Sequence, residues 1–89
     1  MGMKDLERQY KALANGKRLA ILKFLKGRHQ ASVGEIAKEI KLTFHATSKH
    51  LGILSAVDAL EKTKQSLQVF YRLAEKPKAI LRHFLNLID

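Results

Sequence analysis

Apolar residues recur along this chain mostly at helical spacing, and the breaks between runs outline its elements. Met3, Leu6, Tyr10 and Leu13 form one stripe of an amphipathic helix. Asn15-Gly16 interrupts it: glycine costs about 1 kcal/mol inside a helix, and asparagine is a good N-cap for the next one. Leu19, Leu22 and Leu25 form a second stripe, widened by Ile21 and Phe24. Lys26-Gly27 predicts its end, a cation beside the final carbonyls and then glycine. Ser32-Val33-Gly34-Glu35 reads as a capping box, in which the Ser and Glu side chains each satisfy an orphan backbone N–H. Val33, Ile36, Ala37 and Ile40 follow at helical spacing. After Lys41-Leu42, Thr43 can cap a further helix whose inner stripe is Thr47, Leu51 and Leu54. A short helix, a tight turn and a second helix over 33–57 make a helix–turn–helix.

The grain then changes. Leu60–Lys64 and Gln68–Leu73, the second rich in aromatic and β-branched residues, read as a β-hairpin around Gln65-Ser66-Leu67. Pro77, the only proline, suits the first turn of a last helix, where its missing N–H has no partner to lose. That helix carries Ile80, Leu81, Phe84, Leu85, Leu87 and Ile88, more apolar surface than a terminal helix on a small monomer readily hides. The predicted fold is mainly α with a small β-hairpin: about five helices plus a two-stranded wing. It is expected to form one winged helix–turn–helix domain over 1–89, with the helix–turn–helix at 33–57 and the wing at 60–73. Helices 3–14 and 77–89 would pair with a second copy through Leu6, Tyr10, Ile80, Leu81, Phe84, Leu85 and Ile88.

Composition narrows the function. Eighty-nine residues suit one domain, which at this size buries only roughly 60–65% of its unfolded surface, so a shared apolar face is plausible chemistry. Seventeen Lys and Arg against eight Asp and Glu leave a formal charge of +9, which favours a polyanionic partner. Cysteine is absent, which removes disulfides and thiolate metal sites. No apolar run reaches the roughly 20 residues of a membrane span, and the charged start reads against an export signal, so a cytoplasmic protein is expected.

The second helix of the turn motif is the candidate reader. With Thr47, Leu51 and Leu54 inward, His45, Lys49 and Gly52 point outward and Ser48 lies on the flank. Lys49 can bond guanine O6 and N7 or a phosphate, and His45 and Ser48 can donate or accept. Thr43 is a cap first and a phosphate contact second. Phe44 shares i, i+3 and i+7 spacing with Thr47 and Leu51, which predicts partial burial; contact with a thymine methyl is the other reading. Lys62 and Lys64 share a strand face and, with Gln65 at the hairpin tip, suit phosphate or minor-groove contact. They equally suit a charged edge strand that resists aggregation.

The four histidines, His29, His45, His50 and His83, show no metal-ligand spacing, so neither a metal nor another cofactor is expected. No Gly-rich phosphate loop or catalytic constellation appears, which argues against an enzyme.

Four segments resemble one known family. Leu13-Ala14-Asn15-Gly16-Lys17-Arg18-Leu19-Ala20-Ile21-Leu22 is similar to the opening of the second helix in the ArsR family of bacterial and archaeal repressors. Ser32-Val33-Gly34-Glu35-Ile36-Ala37 resembles its first helix–turn–helix element, Thr43 to Leu51 its recognition helix, and Gln68–Leu73 its second wing strand. The resemblance covers roughly residues 5–75. It implies a winged-helix homodimer, paired through its first and last helices, that represses from palindromic double-stranded DNA operators and often responds to a ligand. The chain departs from the family at several places. Ser32 and Gly34 stand where metal-sensing members carry thiolates, and no ligand set stands on the last helix, so metal sensing is not implied. Asp58 and Ser66 stand where glycine is usual, Ala59 where a larger aliphatic is common, and Phe44 where a polar residue is usual. A winged-helix module for protein–protein interaction, with incidental DNA affinity, is the alternative that the apolar last helix supports.

Overall fold

Three helices begin where a side chain closes their first turn. The computed structural model describes residues 2–88; Met1 and Asp89, the ends of the expected domain, lie outside the described residues. Helix α1 spans Met3–Leu13 and α2 Gly16–Lys26, with Asn15 accepting from the Arg18 N–H at 3.1 Å. Helix α3 (Val33–Ile40) opens with the expected capping box: Glu35 N–H donates to Ser32 Oγ, and Ser32 N–H donates to Glu35 Oε1 at 2.8 Å. Helix α4 (Phe44–Ala56) starts at Thr43, whose Oγ1 accepts from the Ala46 N–H. These bonds satisfy donors that the helix cannot pair internally.

The turn between α3 and α4 is held from both sides. Lys41 takes the left-handed conformation at φ 58°, and the Leu42 N–H reaches back to the Ala37 carbonyl. Lys17 donates from Nζ to the Ile40 carbonyl at 2.8 Å, placing a cation at the negative end of α3.

Strand β1 (Ala31–Ser32), β2 (Leu60–Gln65) and β3 (Gln68–Leu73) form an antiparallel sheet in the order β1-β3-β2. The wing is the expected hairpin β2–β3, joined by a loop of two residues, Ser66 and Leu67, rather than the three expected, because Gln65 still pairs with Gln68. Strand β1 has no sequence signature of its own; it is two residues long and exists because Ala31 and Ser32 lie beside Tyr71 and Phe70. Asp58 and Ser66 both adopt positive φ, 60° and 58°, in the places where glycine was missed. The Asp58 carboxylate also lies 3.3 Å from Lys78 Nζ. Ala59 is buried, donating to Leu54 and accepting from Ala74, so the smaller side chain is accommodated.

The core gathers the inner stripes. Leu13, Ile21, Leu22, Leu25, Ile36, Leu51 and Leu54 are almost wholly buried. The last helix, α5 (Ala79–Leu87), starts two residues after Pro77, not on it. Lys78 is extended at φ −62°, ψ 156°, and the Pro77 carbonyl instead accepts from Arg82. Lys26 and Gly27 close α2 as expected, and Lys26 also serves a second helix. Its ammonium donates to the Leu85 and Ile88 carbonyls, at 2.5 and 2.8 Å, so it ties the end of α5 to α2. Gly27 ends α2 at a negative φ of −91° and uses none of glycine's conformational freedom.

Helices α1 and α5 meet edge to face through Tyr10 and Phe84, ring centroids 6.1 Å apart. Ile80, Phe84, Leu85 and Ile88 rest half-buried against the core. Leu6 is half-buried, and Met3, Tyr10 and Leu87 are exposed. Leu81 corrects the expected pairing set: it is 4% exposed and spent on the protein's own core, which leaves it little surface for a partner. Among the described residues no helix is long and apolar enough to cross a membrane.

Candidate nucleic-acid interface

Helix α4 has a dry side and a wet side. Thr47, Leu51 and Leu54 are 0% exposed, which fixes the rotation of the helix about its axis. By the 100° step per residue, His45, Lys49 and Gly52 then fall on the far side, and all three are exposed. Thr43 and Ser48 are exposed as well. Thr43 Oγ1 is engaged with the Ala46 N–H, consistent with its role as a cap.

The opposite flank of α4 is anchored. His50 is half-buried, and its Nδ1 lies 3.1 Å from a guanidinium nitrogen of Arg18. Arg18 also donates to the Ala12 carbonyl at 2.6 Å and to the Lys11 carbonyl at 3.2 Å, so one side chain joins α1, α2 and α4. Burial first, then the charges of Arg18 and Lys17, hold the His50 pKa below its ordinary 6.5. A neutral ring leaves Nδ1 free to accept from Arg18.

The wing faces the other edge of α4. Lys62 lies opposite Tyr71 and Lys64 opposite Val69, so the four side chains share one sheet face. Between that face and α4 runs an open groove of about 400 Å³, lined by Phe44, Ser48, Lys62, Leu67, Val69 and Tyr71, with the start of α3 at its floor. Burial raises the Tyr71 pKa, as expected for a phenol in this apolar lining. Gln65 belongs to the other face. Odd and even positions of β2 alternate sides, and the Gln65 amide donates to Gln30 Oε1 at 3.2 Å, so it does not join Lys62 and Lys64 and is not at the tip. The tip belongs to Ser66 and to Leu67, which is 95% exposed.

Phe44 departs from its predicted partial burial: it is 63% exposed. The stripe rule assumes a neighbouring element beside every turn. Here the first turn of α4 overlooks the groove, and the described residues leave most of the ring open. The exposed ring overturns the expected partial burial and leaves the other reading, an outward apolar contact, open; the apolar groove wall is the feature that sequence reasoning missed. For the ring, the polar residue usual in the family where Phe44 stands was the available signal.

Five carboxylates of the described residues have a basic partner. Asp5, Glu7, Glu35, Glu61 and Asp58 pair with Arg8, Lys11, Arg28, Arg72 and Lys78, respectively. The Glu75 backbone N–H, then Arg72, lower the Glu61 pKa from its ordinary value, and the Ser32 backbone N–H chiefly does so for Glu35. Lys49, Lys62 and Lys64 have no carboxylate partner among the described residues. The cations of α4 and of the inner wing face are therefore left uncompensated. Among the described residues no three His, Asp or Glu side chains converge as a metal site would need.

Comparison with known proteins places this architecture. Residues 13–63 match the family model of a helix-turn-helix domain. Among solved structures, reduced HlyU from Vibrio cholerae is 30% identical, with a TM-score of 0.80 over 94% of this chain and 84% of its own. The transcriptional repressor BigR from Xylella fastidiosa is 26% identical, with a TM-score of 0.76 over 94% of this chain and 79% of its own. A homodimeric winged helix-turn-helix DNA-binding domain from Mycobacterium bovis, described as a possible ArsR-family regulator, is 27% identical, with a TM-score of 0.80 over 96% of this chain and 75% of its own. No significant sequence match occurs among curated proteins.

Proposed function

The chain belongs to the ArsR-like winged helix–turn–helix family of DNA-binding transcription regulators, and on that premise we propose that it is a homodimeric repressor of a two-fold symmetric operator. Helix α4 enters the major groove, where His45, Ser48 and Lys49 meet base edges and Thr43 approaches a phosphate. Lys62 and Lys64 on the wing take phosphates on the same side; Gln65, held by Gln30, contributes at most to the backbone of the flanking turn. The carrying observation is the set of three lysines without carboxylate partners on the face formed by α4 and the wing, in a chain of charge +9.

The second copy is assigned to the α1–α5 side. Met3, Tyr10 and Leu87 are exposed there beside the half-buried Leu6, Ile80, Phe84, Leu85 and Ile88. The Mycobacterium bovis relative is homodimeric, which supports the same pairing here. Two recognition helices then meet half-sites about one helical turn, roughly 34 Å, apart. The protein works in the cytoplasm, as a regulator and not as an enzyme.

Selection of bound duplexes from a random pool tests the reading in one step, the expected outcome being an enriched palindrome. On that duplex, Lys49→Ala flattens the preference among bases. Lys62→Ala and Lys64→Ala weaken all duplexes alike and each reduce the log–log salt slope by about 1.8, roughly 0.9 for the phosphate lost in each half-site. A pool that returns no enriched sequence refutes the proposal. A sedimentation profile of pure monomer would hand the α1–α5 face to a different protein and favour the interaction-module reading.

A further inference from the structure

We propose that Phe44 is a specificity-determining residue that reads a thymine methyl group in each operator half-site. The inference deepens the DNA-binding reading and rests on it. Phe44 is the first residue of α4, and the N-terminal end of a recognition helix is the part that meets base edges. The Thr43 cap fixes that first turn, so the Cα–Cβ direction of Phe44 is set before any DNA arrives. The ring is 63% exposed and lies on the flank of α4 shared with Ser48 one turn later, at the lip of the groove whose far wall is Val69 and Tyr71.

The chemistry selects the occupant. A phenyl ring offers no hydrogen bond, so polar base edges give it nothing and lose water to it. Thymine alone among the four bases presents an apolar group, its 5-methyl, in the major groove. Lys62 on the groove rim and Lys49 on the adjacent face lack carboxylate partners, which suits a phosphodiester strand passing along this lip and brings a base edge to the ring. Removing one buried methyl lowers affinity about fourfold, and about fifteenfold when both half-sites lose it.

The test uses the full chain and its selected duplex. Each thymine is replaced in turn by deoxyuridine, which deletes the methyl and leaves every hydrogen-bonding atom. Binding is read by fluorescence anisotropy at fixed salt. One symmetric pair of positions should show the loss, and cytosine placed there should regain affinity when given as 5-methylcytosine. In Phe44→Ala the uracil penalty at that pair disappears, and in Phe44→Leu it persists in part. Uracil tolerated at every position overturns the inference, as does a penalty that survives unchanged in Phe44→Ala. Either result leaves a selected operator standing, whereas failure to select any operator strikes the function itself.

Discussion

Replacing Thr47 with valine probes how the recognition helix is held. Thr47 is 0% exposed, and its Oγ1 has no hydrogen-bond partner among the described residues. A hydroxyl removed from water without a partner costs about 1–3 kcal/mol. Valine has nearly the same shape and puts a methyl where the hydroxyl was, so the contacts with the rest of the inner stripe survive. Threonine and valine also have similar helix propensities, so the backbone is unaffected. Thr47→Val should therefore stabilise the fold by about 1 kcal/mol or more. In a domain of this size that raises Tm by roughly 4–8 °C. Thermal unfolding followed by far-ultraviolet circular dichroism reads this directly, at matched protein concentration because dimerisation shifts apparent stability. The same variant should select the same operator as the parent, since residue 47 faces the core. A fall in Tm of several degrees would mean that the hydroxyl is hydrogen-bonded in solution. A changed base preference would mean that the helix is rotated, and the assignment of His45, Ser48 and Lys49 to the DNA side would go with it.

Two further outcomes follow from local geometry. Ser66 holds φ at 58° in a two-residue hairpin loop, a conformation that costs a residue bearing Cβ roughly 1–2 kcal/mol, so Ser66→Gly should raise the denaturant midpoint; an unchanged or lower midpoint would show that the wing tip is not strained. His50 titrates in the folded protein below its ordinary 6.5, chiefly because it is buried. Above pH 6.5 both folded and unfolded chains hold it neutral and its contribution is complete. As pH falls past 6.5 the unfolded chain takes the proton first, and stability drains away until the folded pKa is passed. His50→Asn, which keeps an oxygen for Arg18, should flatten that acid slope between pH 7 and 5; parallel slopes for the two proteins would remove His50 from the explanation.

Much of the recognition element was legible in the chain because its determinants are local. Asn15, Ser32 with Glu35, and Thr43 each bond a backbone N–H three residues on, a distance that spacing alone specifies. The burial of Thr47, Leu51 and Leu54 likewise follows from a period of 3.6 and from the cost of leaving leucines in water. With that stripe named, the exposure of His45, Ser48 and Lys49 followed as its geometric complement. Lys62 and Lys64 share a face for the equivalent reason in a strand.

The misreadings have a common source, which is a partner distant in sequence. Ala31 and Ser32 are strand only because residues 70 and 71 lie beside them, and Gln65 turned away from the lysines toward Gln30. The second role of Lys26, capping a helix some sixty residues downstream, was illegible for the same reason, and Leu81 faces inward because α2 and the core lie on that side of α5. Phe44 is the functional case. Its spacing is that of a core residue, but burial needs an element to cover it as well as a place on the stripe. Periodicity states which side chains a helix offers to a neighbour. Whether the neighbour reaches that turn depends on how the hairpin packs against α3 and α4, and here the packing leaves a groove and an open ring.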